Sequence, residues 1–151
     1  MGRGDEENQL TPKVIEALSG MRVVAVEAGW SHSLVLTEAG AVLSFGDGVF
    51  GHLGHGDEEN QHTPRVIEAL SGMRVVAVST GGYHSLVLTE AGAVLSFGWG
   101  GYGCLGHGDE ENQLTPKVIE SLRGERVVAV SAGGDHSLVL TEVGAVLSFG
   151  D

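Results

Sequence analysis

Four short apolar segments, separated by glycine-rich or acidic stretches, recur along this chain. In the first copy they run Thr11 to Leu18, Arg22 to Val26, His32 to Thr37 and Ala41 to Phe45. The second carries Val23, Val24, Ala25 and Val26 without a polar break, the pattern expected of a strand buried on both faces. The third carries Leu34-Val35-Leu36, and the fourth Val42, Leu43 and Phe45. Between them stand Gly29, then Glu38-Ala39-Gly40, then Gly46-Asp47-Gly48-Val49-Phe50-Gly51. These are turn compositions. Thr11-Pro12 opens the first segment, and proline, lacking an N–H, suits the start of an edge strand. Val14 to Leu18 alone also reads as a helical turn; strand is the preferred reading.

The pattern repeats every 52 residues. Gly4-Asp5-Glu6-Glu7-Asn8-Gln9 recurs from Gly56 and from Gly108, and Ser44-Phe45-Gly46 from Ser96 and from Ser148. Residues 3–46 and 55–98 differ at seven of 44 positions, and residues 47–98 and 99–150 at 12 of 52. A repeat of about this length with four short strands predicts an all-β fold, a β-propeller of four-stranded blades. One blade takes Arg22–Val26, His32–Thr37, Ala41–Phe45 and then Thr63–Leu70, straddling the repeat boundary. The expected organisation is a single repeat domain over 1–151, with repeats at approximately 1–46, 47–98 and 99–150.

The copies carry a family resemblance. Gly29-Trp30-Ser31-His32-Ser33, Gly40-Ala41-Val42-Leu43-Ser44-Phe45-Gly46, Gly51-His52-Leu53-Gly54-His55-Gly56-Asp57 and Thr63-Pro64 together resemble the repeat of the regulator of chromosome condensation family. All three copies fit it. Kelch repeats share the length and a double glycine, as at Gly81-Gly82 and Gly133-Gly134, but the x-His-Ser that follows favours the first family. The resemblance implies a propeller, seven-bladed in that family. Its members include an exchange factor for a small GTPase, plant UV-B photoreceptors and many protein-binding scaffolds, so fold leaves function open.

Differences between copies point to a site. They gather in the turn after the inner strand, where Glu27, Ala28, Trp30 and Ser31 face Ser79, Thr80, Gly82 and Tyr83, then Ser131, Ala132, Gly134 and Asp135. They gather again in the loop after the third strand, where Asp47, Val49, Phe50 and His52 face Trp99, Gly101, Tyr102 and Cys104. Strands alternate in direction, so both loops are expected on one face. Exposed aromatic side chains are typical anchors for a partner, whereas drift in tolerant loops is the bland alternative. Glu27, Trp30, Ser31, Asp47, Phe50, His52, Thr80, Tyr83, Trp99, Tyr102, Cys104 and Asp135 are the candidate binding face. His32, His84 and His136 occupy one column, and a histidine present in triplicate reads as structural bracing rather than catalysis.

Charge narrows the partner. There are 20 acidic against 8 basic residues, a net charge of −12. A nucleic-acid surface needs concentrated Lys and Arg, so the expected partner is a basic or neutral protein. The nine carboxylates of Asp5-Glu6-Glu7 and its copies lack an EF-hand ligand spacing and read as solvated loops. Arg3-Gly4-Asp5 spells an integrin-recognition tripeptide, read here as coincidence because its column continues as His55 and His107. Glycine-rich Gly98-Trp99-Gly100-Gly101 lacks the following Gly-Lys of a P-loop. No zinc spacing, cofactor motif or metal site is visible, and no enzymatic activity is expected. One cysteine, Cys104, gives no internal disulfide. No signal peptide or apolar span stands out, so an intracellular location, cytoplasm or nucleus, is expected without membrane attachment.

The leading functional expectation is a non-enzymatic protein-interaction scaffold. The alternative is a guanine-nucleotide exchange factor, for which the resemblance puts weight on Ser31 and Asp135 before the repeated histidine. A UV-B photoreceptor is a more distant alternative, since Gly29-Trp30-Ser31-His32-Ser33 resembles that motif but lacks its arginine. Three repeats fall short of the four to eight blades of a closed propeller. The chain begins with an outer strand and ends without one, so a head-to-tail homodimer of six blades is expected, or open ends if the chain is part of a longer propeller.

Overall fold

The computed structural model describes residues 1–151. Every extended segment joins an antiparallel sheet. The first sheet is β1 (Val23–Ala28), β2 (His32–Thr37), β3 (Val42–Gly46) and β4 (Gln61–Val66), hydrogen-bonded in that order. The second repeats it with β5 (Val75–Thr80), β6 (His84–Thr89), β7 (Val94–Gly98) and β8 (Gln113–Val118). The third has three strands, β9 (Val127–Ala132), β10 (His136–Thr141) and β11 (Val146–Gly150). These are the blades of a β-propeller: β2 packs on β5 and β6 on β9, with β1, β5 and β9 side by side at the inner end.

The core lies between blades. Leu34, Leu36 and Val42 of the first blade meet Val78, Val87, Leu95 and Phe97 of the second. One blade on, Leu88 and Val94 meet Val127 and Val139 of the third. Strand alternation produces this. In the β2–β3 register Leu36 lies opposite Val42 and Val35 opposite Leu43, so the first pair faces the following blade and the second faces backwards. The backward face of the first blade, Val35, Leu43 and Phe45, has no blade behind it. Ile15 and Leu18 of the N-terminal segment cover it instead.

Two expectations need correction. The outer strand does not run Thr63–Leu70. It begins at Gln61, ends at Val66, and gives way to a 3-10 turn at Glu68–Leu70, matched by Glu120–Leu122 and Glu16–Leu18. Ile67 and Leu70 are both buried. A spacing of three puts both on one side in a tight turn and on opposite sides in a strand. In the first copy Thr11 to Leu18 forms no strand at all, because no third strand lies beside it. The inner strand is also not buried on both faces: Val24 and Val76 are exposed, as is Val26, since these strands border the propeller axis and β1 has no preceding blade. The helical segments are three-residue 3-10 turns, and no helix is long and apolar enough to cross a membrane.

Candidate interaction face

Backbone hydrogen bonds tie the two variable loops together in every blade. The amide of Asp47 donates to the Ser31 carbonyl at 2.9 Å, Trp99 to Tyr83 at 2.9 Å, and Asp151 to Asp135 at 3.1 Å. The turn after the inner strand and the loop after the third strand therefore share one face. The remaining copy-to-copy differences are scattered: His62 against Leu114 and Arg65 against Lys117 in the outer strand, Ala69 against Ser121 in the 3-10 turn, Ser71 against Arg123 and Met73 against Glu125 in the exposed turn before the next inner strand, and Ala91 against Val143 between the second and third strands.

Aromatic side chains line that face. Trp30 sits edge-on to Tyr83, with ring centroids 5.2 Å apart, and Phe50 meets Tyr83 at 5.5 Å. Trp99 and Tyr102 form a second edge-on pair at 5.5 Å. Trp30 is 69% exposed and Tyr102 58%, while Tyr83, Phe50 and Trp99 are half-buried. The first-blade Trp30 reaches across two neighbours. A β-carbon on Gly82 would come within 3.3 Å of the indole, and one on Gly134 within 3.9 Å. The glycines that replace Trp30 in the later copies thus make room for it.

Phe50 and Tyr102 have φ of 60° and 57°. Bulky side chains rarely occupy this left-handed region, which costs on the order of 1–2 kcal/mol per residue. Asn60 and Asn112 hold the loops from below, their side-chain carbonyls accepting from the Gly48 and Gly100 amides at 2.9 and 3.0 Å. Asp47 accepts from the Val49 amide at 2.9 Å. Strain kept in place by surrounding bonds is characteristic of binding loops.

Three residues expected on this face are not there. His52 and Cys104 are fully buried, and Thr80 nearly so. His52 Nε2–H donates to the Asp47 carbonyl, and Cys104 Sγ–H to that of Trp99 at 3.2 Å. Each closes its loop from inside, so two different side chains perform one internal task. Thr80 ends β5, wedged between the flanking inner strands β1 and β9. Glu27, Ser31, Asp47 and Asp135 are half-buried beside the aromatic residues.

The repeated histidines join blades rather than brace single ones. His32 Nε2 lies 2.9 Å from Ser85 Oγ, and His84 Nε2 2.9 Å from Ser137 Oγ. Each serine donates its own proton to a carbonyl, that of His52 at 2.9 Å or Cys104 at 2.8 Å. The imidazole must therefore be the Nε2–H tautomer, donating to the hydroxyl. Burial, reinforced by neighbouring histidines, pushes the pKa of His32 down to about 3. Burial likewise pushes His84 down to about 4. Both rings are neutral at pH 7. His136 is exposed, with no following blade to bridge. Ser85 and Ser137 were missed as partners, although the His-Ser pair stands unchanged in all three copies. His55 and His107 donate to Ser44 and Ser96 at 2.8 and 2.9 Å, pinning the loop to the third strand.

Comparison with known proteins agrees with this architecture. The family model for the regulator of chromosome condensation (RCC1) repeat matches residues 1–36, 39–88 and 91–140. The chain is 42% identical over its whole length to 3% of the human E3 ubiquitin-protein ligase HERC2. It is 37% identical, over 99% of its length, to 34% of the Arabidopsis thaliana ultraviolet-B receptor UVR8. Among solved structures, human WBSCR16 superposes with a TM-score of 0.81 at 30% identity, over 87% of this chain and 33% of that one. Prp20p of Saccharomyces cerevisiae, a structure described with its binding to Gsp1p and histones, superposes at 0.73 and 22% identity over 80% of this chain and 31% of that one. The chain thus spans about a third or less of each of these relatives.

Proposed function

The chain belongs to the regulator of chromosome condensation (RCC1) repeat family, and from that premise we propose that it is a non-enzymatic protein-interaction module working through its aromatic loop face. The observation that carries this reading is Trp30: a large apolar ring, 69% exposed, held over two glycines of neighbouring blades. Solvent does not favour such an arrangement, and a partner does, since Trp and Tyr dominate binding hot spots. Half-buried Glu27, Asp47 and Asp135 and the net charge of −12 suit a partner with basic or neutral contact residues. Relatives whose names point to protein binding, such as Prp20p with Gsp1p and histones, support the class and leave this chain's partner to experiment.

The test is quantitative binding of a captured partner to wild type, Trp30→Ala and Tyr102→Ala. Both side chains are exposed, so the variants keep the wild-type circular dichroism. Loss of at least tenfold in affinity in each is expected. Unchanged affinity in both would remove this face from consideration. Asp135, placed in the column that the family resemblance associates with exchange activity, motivates one control. Nucleotide release from small GTPases is expected to be unaffected by the chain, and acceleration abolished by Asp135→Ala would favour the exchange-factor reading instead.

A further inference from the structure

The two variable loops of this face meet across each joint between blades. At the first joint Phe50, in the loop after β3, stands edge-on to Tyr83, in the turn after β5, at 5.5 Å. The amide of Trp99 donates to the Tyr83 carbonyl at 2.9 Å, and the Trp99 ring stands edge-on to Tyr102 at 5.5 Å. Tyr102 occupies the column of Phe50, and the turn of the third blade places Asp135 in the column of Tyr83. Asp47 opens the loop that carries Phe50, in the column of Trp99. Carboxylate and ring are thus exchanged between two columns. The face carries a strip of rings, Phe50, Tyr83, Trp99 and Tyr102, with Asp47 at one end and Asp135 at the other. The exchange brings its own adjustment: Val49 becomes Gly101, where a β-carbon would overlap the Trp99 indole.

The two carboxylates have no cation within the molecule. Asp47 and Asp135 are half-buried and belong to no ion pair. One oxygen of Asp47 accepts from the Val49 amide, which leaves the other. Residues 27–32, 46–60, 79–84, 98–112 and 131–136 contain no Lys or Arg. Arg3, in the column of His55 and His107, is held by Asp5 at 2.8 Å. The other basic residues lie in the outer-strand columns or just before the inner strands. A half-buried carboxylate has given up part of its hydration, and a cation with well-aimed donors restores it. The face of an aromatic ring attracts the same kind of group.

We propose that the partner is a protein segment carrying two arginines, one bound at each end of this strip, with its guanidinium stacked on a ring and forked onto Asp47 or Asp135. The inference rests on the aromatic face being the interaction site. Arginine fits this pairing and lysine does not. A guanidinium is planar and weakly hydrated, so it stacks on a ring and offers two donors to one carboxylate, whereas an ammonium is a compact and strongly hydrated point charge. The rings between the two carboxylates accept the intervening part of the segment. Holding both ends at once makes the second contact intramolecular, so the pair binds more tightly than either arginine alone.

The experiment titrates the 151-residue chain with octa-arginine and with octa-lysine at physiological ionic strength. The two peptides carry equal charge, and the homopolymer offers every spacing between arginines. Octa-arginine is expected to bind about fivefold more tightly and to quench tryptophan emission more strongly. Asp47→Asn and Asp135→Asn should each weaken octa-arginine about fivefold. Asp47→Asn keeps an acceptor for the Val49 amide, so the loop stays closed. Glu58→Gln and Glu110→Gln remove the same charge from exposed parts of the same loops and should change little. Equal affinity for the two peptides, or a loss from Glu58→Gln as large as that from Asp47→Asn, overturns the arginine reading. The captured partner separates the two failures. If Trp30→Ala and Tyr102→Ala still abolish its binding, the interaction face stands and only the arginine reading falls.

Discussion

The indole of Trp30 lies over Gly82, one blade away, so close that a β-carbon there would stand 3.3 Å from the ring. Gly82→Val should therefore push the indole off its seat, while its β-carbon also crowds the Gly134 carbonyl oxygen at 3.1 Å. The expected readout is a shift in tryptophan emission together with a binding loss close to that of Trp30→Ala. Gly82 is buried, so overpacking there should also cost about 1–3 kcal/mol of stability, read by urea unfolding. Normal affinity alongside a displaced indole would separate Trp30 from recognition.

The backbone at Tyr102 offers an opposite signature. Tyr102→Gly relieves left-handed strain worth about 1–2 kcal/mol. It forfeits an edge-on contact with Trp99 worth about 0.5–1.5 kcal/mol. The two offset, so urea unfolding should stay within about 1 kcal/mol of wild type while partner affinity falls. A large destabilisation would mean that the loop serves the fold rather than a partner.

Acid should open the blade joints. His32 and His84 are held to about 3 and about 4 by burial, against an unfolded value near 6.5. Between those limits the unfolded chain binds more protons than the folded one, so stability falls as pH falls. Tm is expected to be flat with respect to these groups above pH 6.5 and to drop progressively towards pH 4. His84→Ala, which strips the donor from Ser137 and leaves a void, should cost about 2–3 kcal/mol at pH 7 and make the acid slope shallower. An unchanged slope would place the acid sensitivity elsewhere.

Cys104 should behave as a buried small group rather than a reactive thiol. Burial raises its pKa to about 11, and its proton is engaged by the Trp99 carbonyl. At pH 8 a thiol reagent should modify it at the rate of unfolding. Rapid labelling of the native protein would show that the loop opens locally.

Binding through this face should weaken as salt rises if exposed carboxylates contribute, because screening shortens their reach to about 8 Å at physiological ionic strength. Isothermal titration at two salt concentrations measures it. Salt-insensitive binding would assign the affinity to the aromatic residues alone.

Much of this molecule was legible because it is written three times. The strand positions, the blade straddling the repeat boundary and the sharing of one face by both variable loops follow from periodicity and alternation. The 3-10 turn at Glu68–Leu70 was readable too, from Ile67 and Leu70 standing three apart, but the apolar run masked it. The burial of His52 and Cys104 was not. Comparing copies reveals that a column varies, and here variation meant two donors sharing one carbonyl-binding task. The histidine bridges were half legible: the column announced structure, while its partner serine lies 53 positions away and had to be seen in space.

Near-identity of the outer strands leaves the unfolded chain with a choice. β3 can pair with β4 or with the almost identical β8, and side chains barely distinguish them. What does distinguish them is distance along the chain: Gly46 lies 15 residues before Gln61 and 67 before Gln113. Loop closure favours the nearer strand by about 1.3 kcal/mol, at roughly 0.6 kcal/mol per doubling. That is close to a tenfold preference, so a sizeable minority of folding attempts begin with the wrong strand in place. Such chains must unpair before they can proceed, and refolding from denaturant should show a slow phase that disappears when one outer strand is made distinct.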